Sequence, residues 1–309
     1  MTTLYVSHPA ALDHAVPVGH PERPARIKAV EQALEAERFS TLLRHLAPRA
    51  ELSVAELAHP ASYVEAIAAA VPQEGLVQID SDTLMSPGSL EATLRALGGA
   101  TYAVDAVMRG ENPNAFVAMR PPGHHAEKDR AMGFCLFNHA AVAVRHARKA
   151  HGATRVALVD WDVHHGNGSQ DIFWDDANVL YASTHQMPLY PGTGSRSERG
   201  NHDTIVNVPL KAFDDGAVFR EAFEAGIVSR LETFAPDLIV ISAGFDAHHR
   251  DPLANLQLDE SDFGWATRKL MELADRHAGG RIVSVLEGGY DLEGLSRSVA
   301  AHVDALMGR

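Results

Sequence analysis

At 309 residues, with 46% hydrophobic and 22% charged residues, the chain has ordinary globular composition and is long enough for one large α/β domain or two smaller ones. A formal net charge of −13 argues against indiscriminate nucleic-acid binding and leaves cationic partners, such as basic peptides or polyamines, open. The single cysteine, Cys135, excludes an intrachain disulfide and fits a reducing compartment.

In chain order, a short strand is expected at Thr3–Ser7, a helix at Arg23–Glu37 and another at Ser89–Met108. A strand at Asn114–Met119 runs into a polar loop and then a helix at Asn138–His151. Strands follow at Arg155–Asp160, Val179–Thr184 and Ile205–Val208, then a helix at Asp215–Phe234. The chain closes with a strand at Leu238–Ser242, a helix at Asp262–His277, a strand at Arg281–Leu286 and a helix at Leu292–Met307. Short apolar strands alternating with amphipathic helices are the pattern of a parallel sheet covered by helices. Pro236 and Gly279–Gly280 mark helix ends just before strands. No linker, charge block or repeat divides the chain, so residues 1–309 are expected to form a single domain. The start, MTTLYVSHPAALDHA, lacks a signal-peptide pattern and no apolar run approaches membrane-spanning length. A soluble, cytoplasmic protein without membrane or nucleic-acid partners is the expectation.

Among 18 histidines, several adjoin other histidines or aspartates, and the polar clusters follow four of the strands: Arg120–His125, Asp160–Asn167, Gly244–Asp246 and Glu287–Tyr290. Sites in open parallel sheets form beyond the carboxyl ends of strands, so these clusters should converge. Asp162 and His164, two apart in VALVDWDVHHGNGSQ, would share a face in extended chain and reach one ion. Asp160 has the same parity but lies deeper, as a supporting group. Asp246, at the end of DLIVISAGFD, is the best third ligand, and three ligands with an open position describe a catalytic zinc site. A single Asp-x-His is more often a polar turn; the other strand-end clusters tip the reading towards metal. Iron(II) or manganese would suit the same donors.

Pro121, Pro122 and Gly123 form a tight loop presenting His124 and His125. Metal-assisted amide hydrolysis needs a base for water and an acid for the leaving amine, and paired imidazoles can divide that work. Asp160 beside one histidine would favour its charged form, while Asn167 beside the other supplies a neutral hydrogen bond. Which histidine is the working base stays open on spacing. Tyr290, after Gly288–Gly289, is placed to donate a hydrogen bond to a developing oxyanion.

The motifs HPERPARI, RPPGHHA, GFCLFN, DWDVHHGNGSQ, YPGTG, SAGFDAHHRDPL and LEGGYDL, in this order, closely resemble the histone deacetylase and acetylpolyamine amidohydrolase superfamily over nearly the whole chain. The resemblance implies an α/β fold: an arginase/deacetylase-like three-layer αβα sandwich around a central, mainly parallel sheet. It implies hydrolysis of an acylated amine by one zinc ion on Asp162, His164 and Asp246. His124, oriented by Asp160, and His125, oriented by Asn167, would be the acid–base pair, and Tyr290 the carbonyl-polarising group. Gly133, Phe134 and Tyr190 would line a narrow acyl-amine tunnel. A structural potassium ion would sit among Asp160, Asp162, His164, Ser183 and Thr184, partly through backbone oxygens. Asn167 and DWDVHHGNG look like the class II branch, since class I commonly carries aspartate at that position. Leu253 replaces the gatekeeper glutamate of a polyamine-selective relative, which weakens a polyamine preference, and Arg26 aligns loosely with an arginine of an internal product channel. Arginases share the fold, but Gly166 and His248 stand where their second metal needs aspartates, so a mononuclear zinc site is the better reading. The substrates implied are acyl-lysine peptides or proteins, or acetylpolyamines. A catalytically weak acyl-lysine-binding module is the contrasting alternative, opposed by the presence of Tyr290. Oligomerisation in the family depends on loop lengths and stays open.

Overall fold

The computed structural model describes residues 2–309, and its apolar, β-branched runs pair as strands. In chain order these are β1 (Leu4–Ser7), β2 (Leu43–Leu46), β3 (Val77–Gln78), β4 (Leu84–Met85), β5 (Asn114–Ala118), β6 (Val156–Asp160), β7 (Val179–Gln186), β8 (Ile205–Leu210), β9 (Leu238–Ala243) and β10 (Ile282–Leu286). The helices are α1 (Ala25–Leu34), α2 (Ala61–Ala69), α3 (Ser89–Met108), α4 (His139–His151), α5 (Asn167–Phe173), α6 (Gly216–Phe223), α7 (Ser229–Phe234), α8 (Glu260–His277) and α9 (Leu292–Leu306).

Eight strands form one sheet in the order β2-β1-β5-β10-β9-β6-β7-β8, and β3 and β4 form a separate antiparallel ribbon. The sheet is parallel at every pairing, not merely mainly so. Strands β5, β6, β7, β9 and β10 are buried along their whole lengths; β5, β6, β9 and β10 accordingly read as largely apolar runs rather than alternating ones, while β7 ends in the buried polar run Ser183–Gln186. Helices α3 and α4 pack on each other and on the central strands, while α1, α8 and α9 form the other layer. The fold is thus the α/β sandwich that the motifs implied.

The chain lays down β5, skips two strand positions to place β6, and later fills the gap with β9 and β10. The four strands that carry polar clusters at their ends are therefore four immediate neighbours at the sheet centre, β5-β10-β9-β6. Convergence of the clusters follows from this return path, the switch in strand order at which sites form in such sheets.

Several element boundaries differ from the sequence expectation. The first helix begins at Ala25 rather than Arg23 and ends at Leu34. The expected Asp215–Phe234 helix is divided by a π-helical turn at Glu224–Val228. There Gly226 lies against β8 so closely that a Cβ would stand 2.5 Å from Val208 Cγ2. Strands β2, β3 and β4 and helices α2 and α5 were not expected; pieces of two to nine residues carry too few periods to register.

Candidate active site

Beyond β6 the chain runs through bends rather than continuing extended, so same-face parity is not how Asp162 and His164 meet. The Asp160 carboxylate accepts the Asp162 N–H at 3.1 Å, and the Asp162 carboxylate accepts the His164 N–H at 2.9 Å. Each carboxylate reaches the backbone two residues on, as in Asx turns. His164 Nδ1 then lies 3.1 Å from Asp162 Oδ1 and 3.1 Å from Asp246 Oδ2. The second oxygens are held by backbone amides: Val163 donates to Asp246 at 2.8 Å and Gly288 to Asp162 at 2.8 Å. Gly288 is required at this approach, because a Cβ would stand 2.3 Å from Asp246 Oδ2.

Asp162, His164 and Asp246 are all buried, and their donor atoms lie within 4.8 Å of one another. Burial and the neighbouring Asp162 push the Asp246 carboxyl above its usual range. Burial opposes charge on His164 too, but hydrogen bonds to Asp162 and Asp246 raise it to about 10. A buried, mutually repelling carboxylate pair aimed with an imidazole at one point fits a single divalent cation, whose charge would relieve the repulsion. Gly166 and His248 supply no second carboxylate there: a Cβ on Gly166 would stand 2.2 Å from Asp160 Oδ2, and His248 turns to Glu260 and stacks on His249.

The histidine loop after β5 is tied down by a carboxylate that sequence reasoning left without a role. Glu287, at the end of β10, accepts the Gly123 and His124 N–H groups at 2.7 and 3.1 Å and the Ser242 hydroxyl at 3.0 Å. His124 Nδ1 lies 3.0 Å from Asp160 Oδ2, which also accepts the Tyr181 hydroxyl at 3.1 Å. His125 Nδ1 lies 2.8 Å from Asn167 Oδ1, while Asn167 Nδ2 donates to Glu127 at 2.7 Å. An amide oxygen only accepts, so His125 carries its proton on Nδ1 and leaves Nε2 free as an acceptor. The two rings lie 4.0 Å apart, centroid to centroid. Their electrostatics are opposite. Burial disfavours charge on His124, but Asp162 and Asp160 overcome it and raise the ring to about 10. His125 is pushed well down by burial, with His124 and His164 adding repulsion.

A cavity of about 240 Å³ ends on His125, His164 and Tyr290 and is walled by Phe134, Tyr190, Leu189 and Leu253. Gly133 adopts φ +57°, and a Cβ there would stand 2.3 Å from His125 Cδ2, so only glycine fits between wall and histidine. Tyr190 meets His125 edge-on at 5.1 Å, and Phe134 meets Tyr290 at 6.0 Å. The Tyr290 N–H donates to Asp251 at 2.7 Å, and Leu253 N–H donates to the same carboxylate's other oxygen at 3.0 Å. Burial, with Asp246 and Asp162 nearby, holds the Tyr290 hydroxyl protonated well above its ordinary range.

Arg26 is fully buried beneath this turn, 5.0 Å from the Tyr290 ring centroid, and donates to the Gly289 carbonyl at 2.6 Å. Asp82, in the turn between β3 and β4, lines the cavity and accepts the Gly133 N–H at 3.0 Å. Sequence reasoning missed Asp82, for which the acid pair of IDSDT was the only signal, and missed Asp251 and Glu287 as anchors. Ser183, named with Thr184 for potassium, pairs with Asp160 across β6 and β7, and its hydroxyl lies 2.9 Å from His185 Nδ1. Among the described residues no helix is long and apolar enough to cross a membrane.

The histone deacetylase domain model matches residues 20–306. A histone deacetylase-like amidohydrolase of Pseudomonas aeruginosa is 39% identical over 291 residues, covering 93% of this chain and 75% of that protein. Histone deacetylase 14, chloroplastic, of Arabidopsis thaliana is 38% identical over 325 residues, covering 99% of this chain and 77% of that protein. The crystal structure of the HDA15 HD domain superposes with a TM-score of 0.94 at 35% identity, covering 100% of this chain and 89% of that one. With the shared sheet, the matched domain and the clustered strand ends together, the chain belongs to the histone deacetylase family of amide hydrolases.

Proposed function

We propose that residues 1–309 act as one catalytic domain that hydrolyses acyl-amine bonds of the acetyl-lysine type, with a single zinc ion on Asp162, His164 and Asp246. The observation that carries this reading is the meeting of that triad, the histidine pair and Tyr290 at the inner end of one apolar-walled cavity. Bound zinc would polarise the acyl carbonyl and acidify the attacking water. Phe134, Tyr190, Leu189 and Leu253 hold the acyl-amine stem and exclude bulk water. His125, uncharged and with Nε2 free, takes the proton as the water oxygen bonds to the carbonyl carbon. The Tyr290 hydroxyl donates to the carbonyl oxygen as negative charge develops there. His125 then returns the proton to the nitrogen as the carbon–nitrogen bond breaks, giving a carboxylate and a free amine. His124, hydrogen-bonded to Asp160 at 3.0 Å and lying against the His125 ring, supports the developing negative charge from the other side.

The potassium site among Asp160, Asp162, His164, Ser183 and Thr184 belongs to the same proposal and rests on the Asp160–Ser183 pairing. A cytoplasmic location rests on the single cysteine; the Arabidopsis relative carries the word chloroplastic in its name. Acetylpolyamines are the second substrate reading, favoured by the Asp82 carboxylate among the cavity's lining residues. Zinc-loaded protein assayed on a panel varying both acyl group and amine tests the assignment, with turnover of an acetyl-lysine peptide expected above that of acetylspermidine. Tyr290→Phe should keep its zinc and lose about 10²–10³-fold in turnover, the typical loss for an oxyanion donor. Near-wild-type turnover would remove Tyr290 from that role. Tight acyl-lysine binding without turnover by the wild type would instead favour the binding-module alternative.

A further inference from the structure

Away from the cavity, the described residues contain a second group of side chains close enough to hold an ion: Asp105, His146 and His151. Asp105 lies in the last turn of α3, and His146 and His151 lie in the C-terminal half of α4, with His151 its last residue. His146 Nε2 and His151 Nε2 each stand 2.7 Å from the same oxygen, Asp105 Oδ1. The two rings are 5.9 Å apart, and all three donor atoms fall within 4.8 Å of one another. Residues five apart on a regular helix point about 140° apart around its axis, so their meeting on one oxygen does not follow from helix spacing. The helix end allows it, since Gly152 turns the chain out at φ 70° immediately after His151.

The side chains of His146, His151 and Asp105 are 21%, 15% and 28% exposed respectively, so packing fixes them while solvent reaches them. Arg109, the cation facing this carboxylate, sits 3.7 Å from its other oxygen and leaves Oδ1 to the imidazoles. Burial raises the Asp105 carboxyl, but hydrogen bonds to His151 and His146 overcome it and keep the group ionised. Two imidazole nitrogens and a carboxylate oxygen are a donor set for zinc and its transition-metal neighbours, and a poor one for magnesium or calcium. Tetrahedral zinc with bonds of about 2.0–2.1 Å spaces its ligands about 3.3–3.4 Å apart, so small rotations of the imidazoles away from the carboxylate make room.

We propose that Asp105, His146 and His151 form a second divalent transition-metal site, separate from the candidate active site, that ties the end of α3 to the end of α4. It lies where α4 hands over to the start of β6, at the amino ends of the strands, whereas the cavity lies at their carboxyl ends. A metal here braces the helical layer without entering the reaction.

The test titrates metal-free, full-length protein with zinc and with cobalt, reading stoichiometry by native mass spectrometry and cobalt by visible absorption. Wild type should take up two equivalents, and the triple variant Asp105→Asn, His146→Gln, His151→Gln only one while retaining wild-type deacylase turnover. His164→Ala, which removes a ligand from the other centre, should still take up one. The second zinc equivalent should raise the melting temperature of wild type and not of the triple variant; excess magnesium should do neither. Equal uptake by wild type and the triple variant, or no uptake by His164→Ala, overturns the proposal. If the triple variant fails to fold, His151→Gln alone, at the helix end, gives the same comparison. A failure of the zinc assignment at Asp162, His164 and Asp246 would appear differently, as one equivalent in wild type that the triple variant loses.

Discussion

Asn167 shows how one atom type sets the behaviour of a catalytic group. Its amide oxygen fixes the His125 Nδ1 proton at 2.8 Å without adding charge, while burial, His124 and His164 keep the ring neutral. Asn167→Asp would place a full negative charge at that contact and raise the His125 pKa, because an adjacent carboxylate favours the charged ring. A base works only when unprotonated, so the acid limb of kcat/KM against pH should move to higher pH. An unmoved limb in the pH–rate profile would assign the base elsewhere. The Asp160–His124 and Asn167–His125 pairings implied by the family resemblance are present in the structure. Glu287 was harder to read, because a glutamate ahead of two glycines looks like a turn residue. Its importance comes from backbone amides of Gly123 and His124, more than 160 positions earlier in the chain.

At the scale of elements, the loop before α1 is fastened to the end of β5 by a buried ion cluster. Arg120 donates twice to Glu22, at 2.7 and 2.6 Å, and Arg26 donates once at 3.1 Å. Burial alone would raise the Glu22 carboxyl, but the charges and hydrogen bonds of Arg120 and Arg26 win and lower it to about 2. With a depressed folded pKa, this contribution is full above the ordinary carboxylate range near pH 4.5 and is lost as pH falls towards 2. It is on the order of 3 kcal/mol at neutral pH. Glu22→Gln leaves two buried guanidinium groups short of charge and should destabilise the fold by about 3–5 kcal/mol at pH 7. Urea unfolding measures this, and the variant should also lose the part of the acid slope below pH 4.5 that Glu22 supplies. Unchanged stability would mean that solvent or another acceptor compensates. The motif HPERPARI marked this segment as notable, but a glutamate four residues before an arginine reads equally well as a surface pair.

For the whole molecule, acid sensitivity should arise mainly from histidines buried in the neutral form. Burial lowers His14 to about 4, His185 to about 4 and His302 to about 3. His302 shows why: it lies against Trp161 and Phe116 with Thr267 and Ser284 as its hydrogen-bond partners. These folded pKa values lie below the unfolded one, so the unfolded chain binds more protons. The stability is therefore complete above about pH 6.5 and falls as pH drops towards 4 and 3. Melting temperature should decline steadily from pH 7 to pH 5, before the Glu22 contribution begins to fail. A flat profile across that range would contradict the assignment of neutral, buried rings.

The sequence by itself determined the class of the sheet and the identity of the chemical groups. Fully buried parallel strands favour apolar runs, and ionisable groups are most easily placed towards their ends, as the clusters after β5, β6, β9 and β10 and the polar second half of β7 show. Only the tertiary structure decided how those groups meet. The late insertion of β9 and β10 between β5 and β6 makes the four cluster-bearing strands neighbours. Asx-type turns, rather than extended-strand parity, aim Asp162 and His164 at one point, and the carboxylates of Glu287, Asp251 and Glu22 hold the loops in place. Those contacts join residues far apart in the chain, and local propensity and spacing carry no information about partners brought together only by packing.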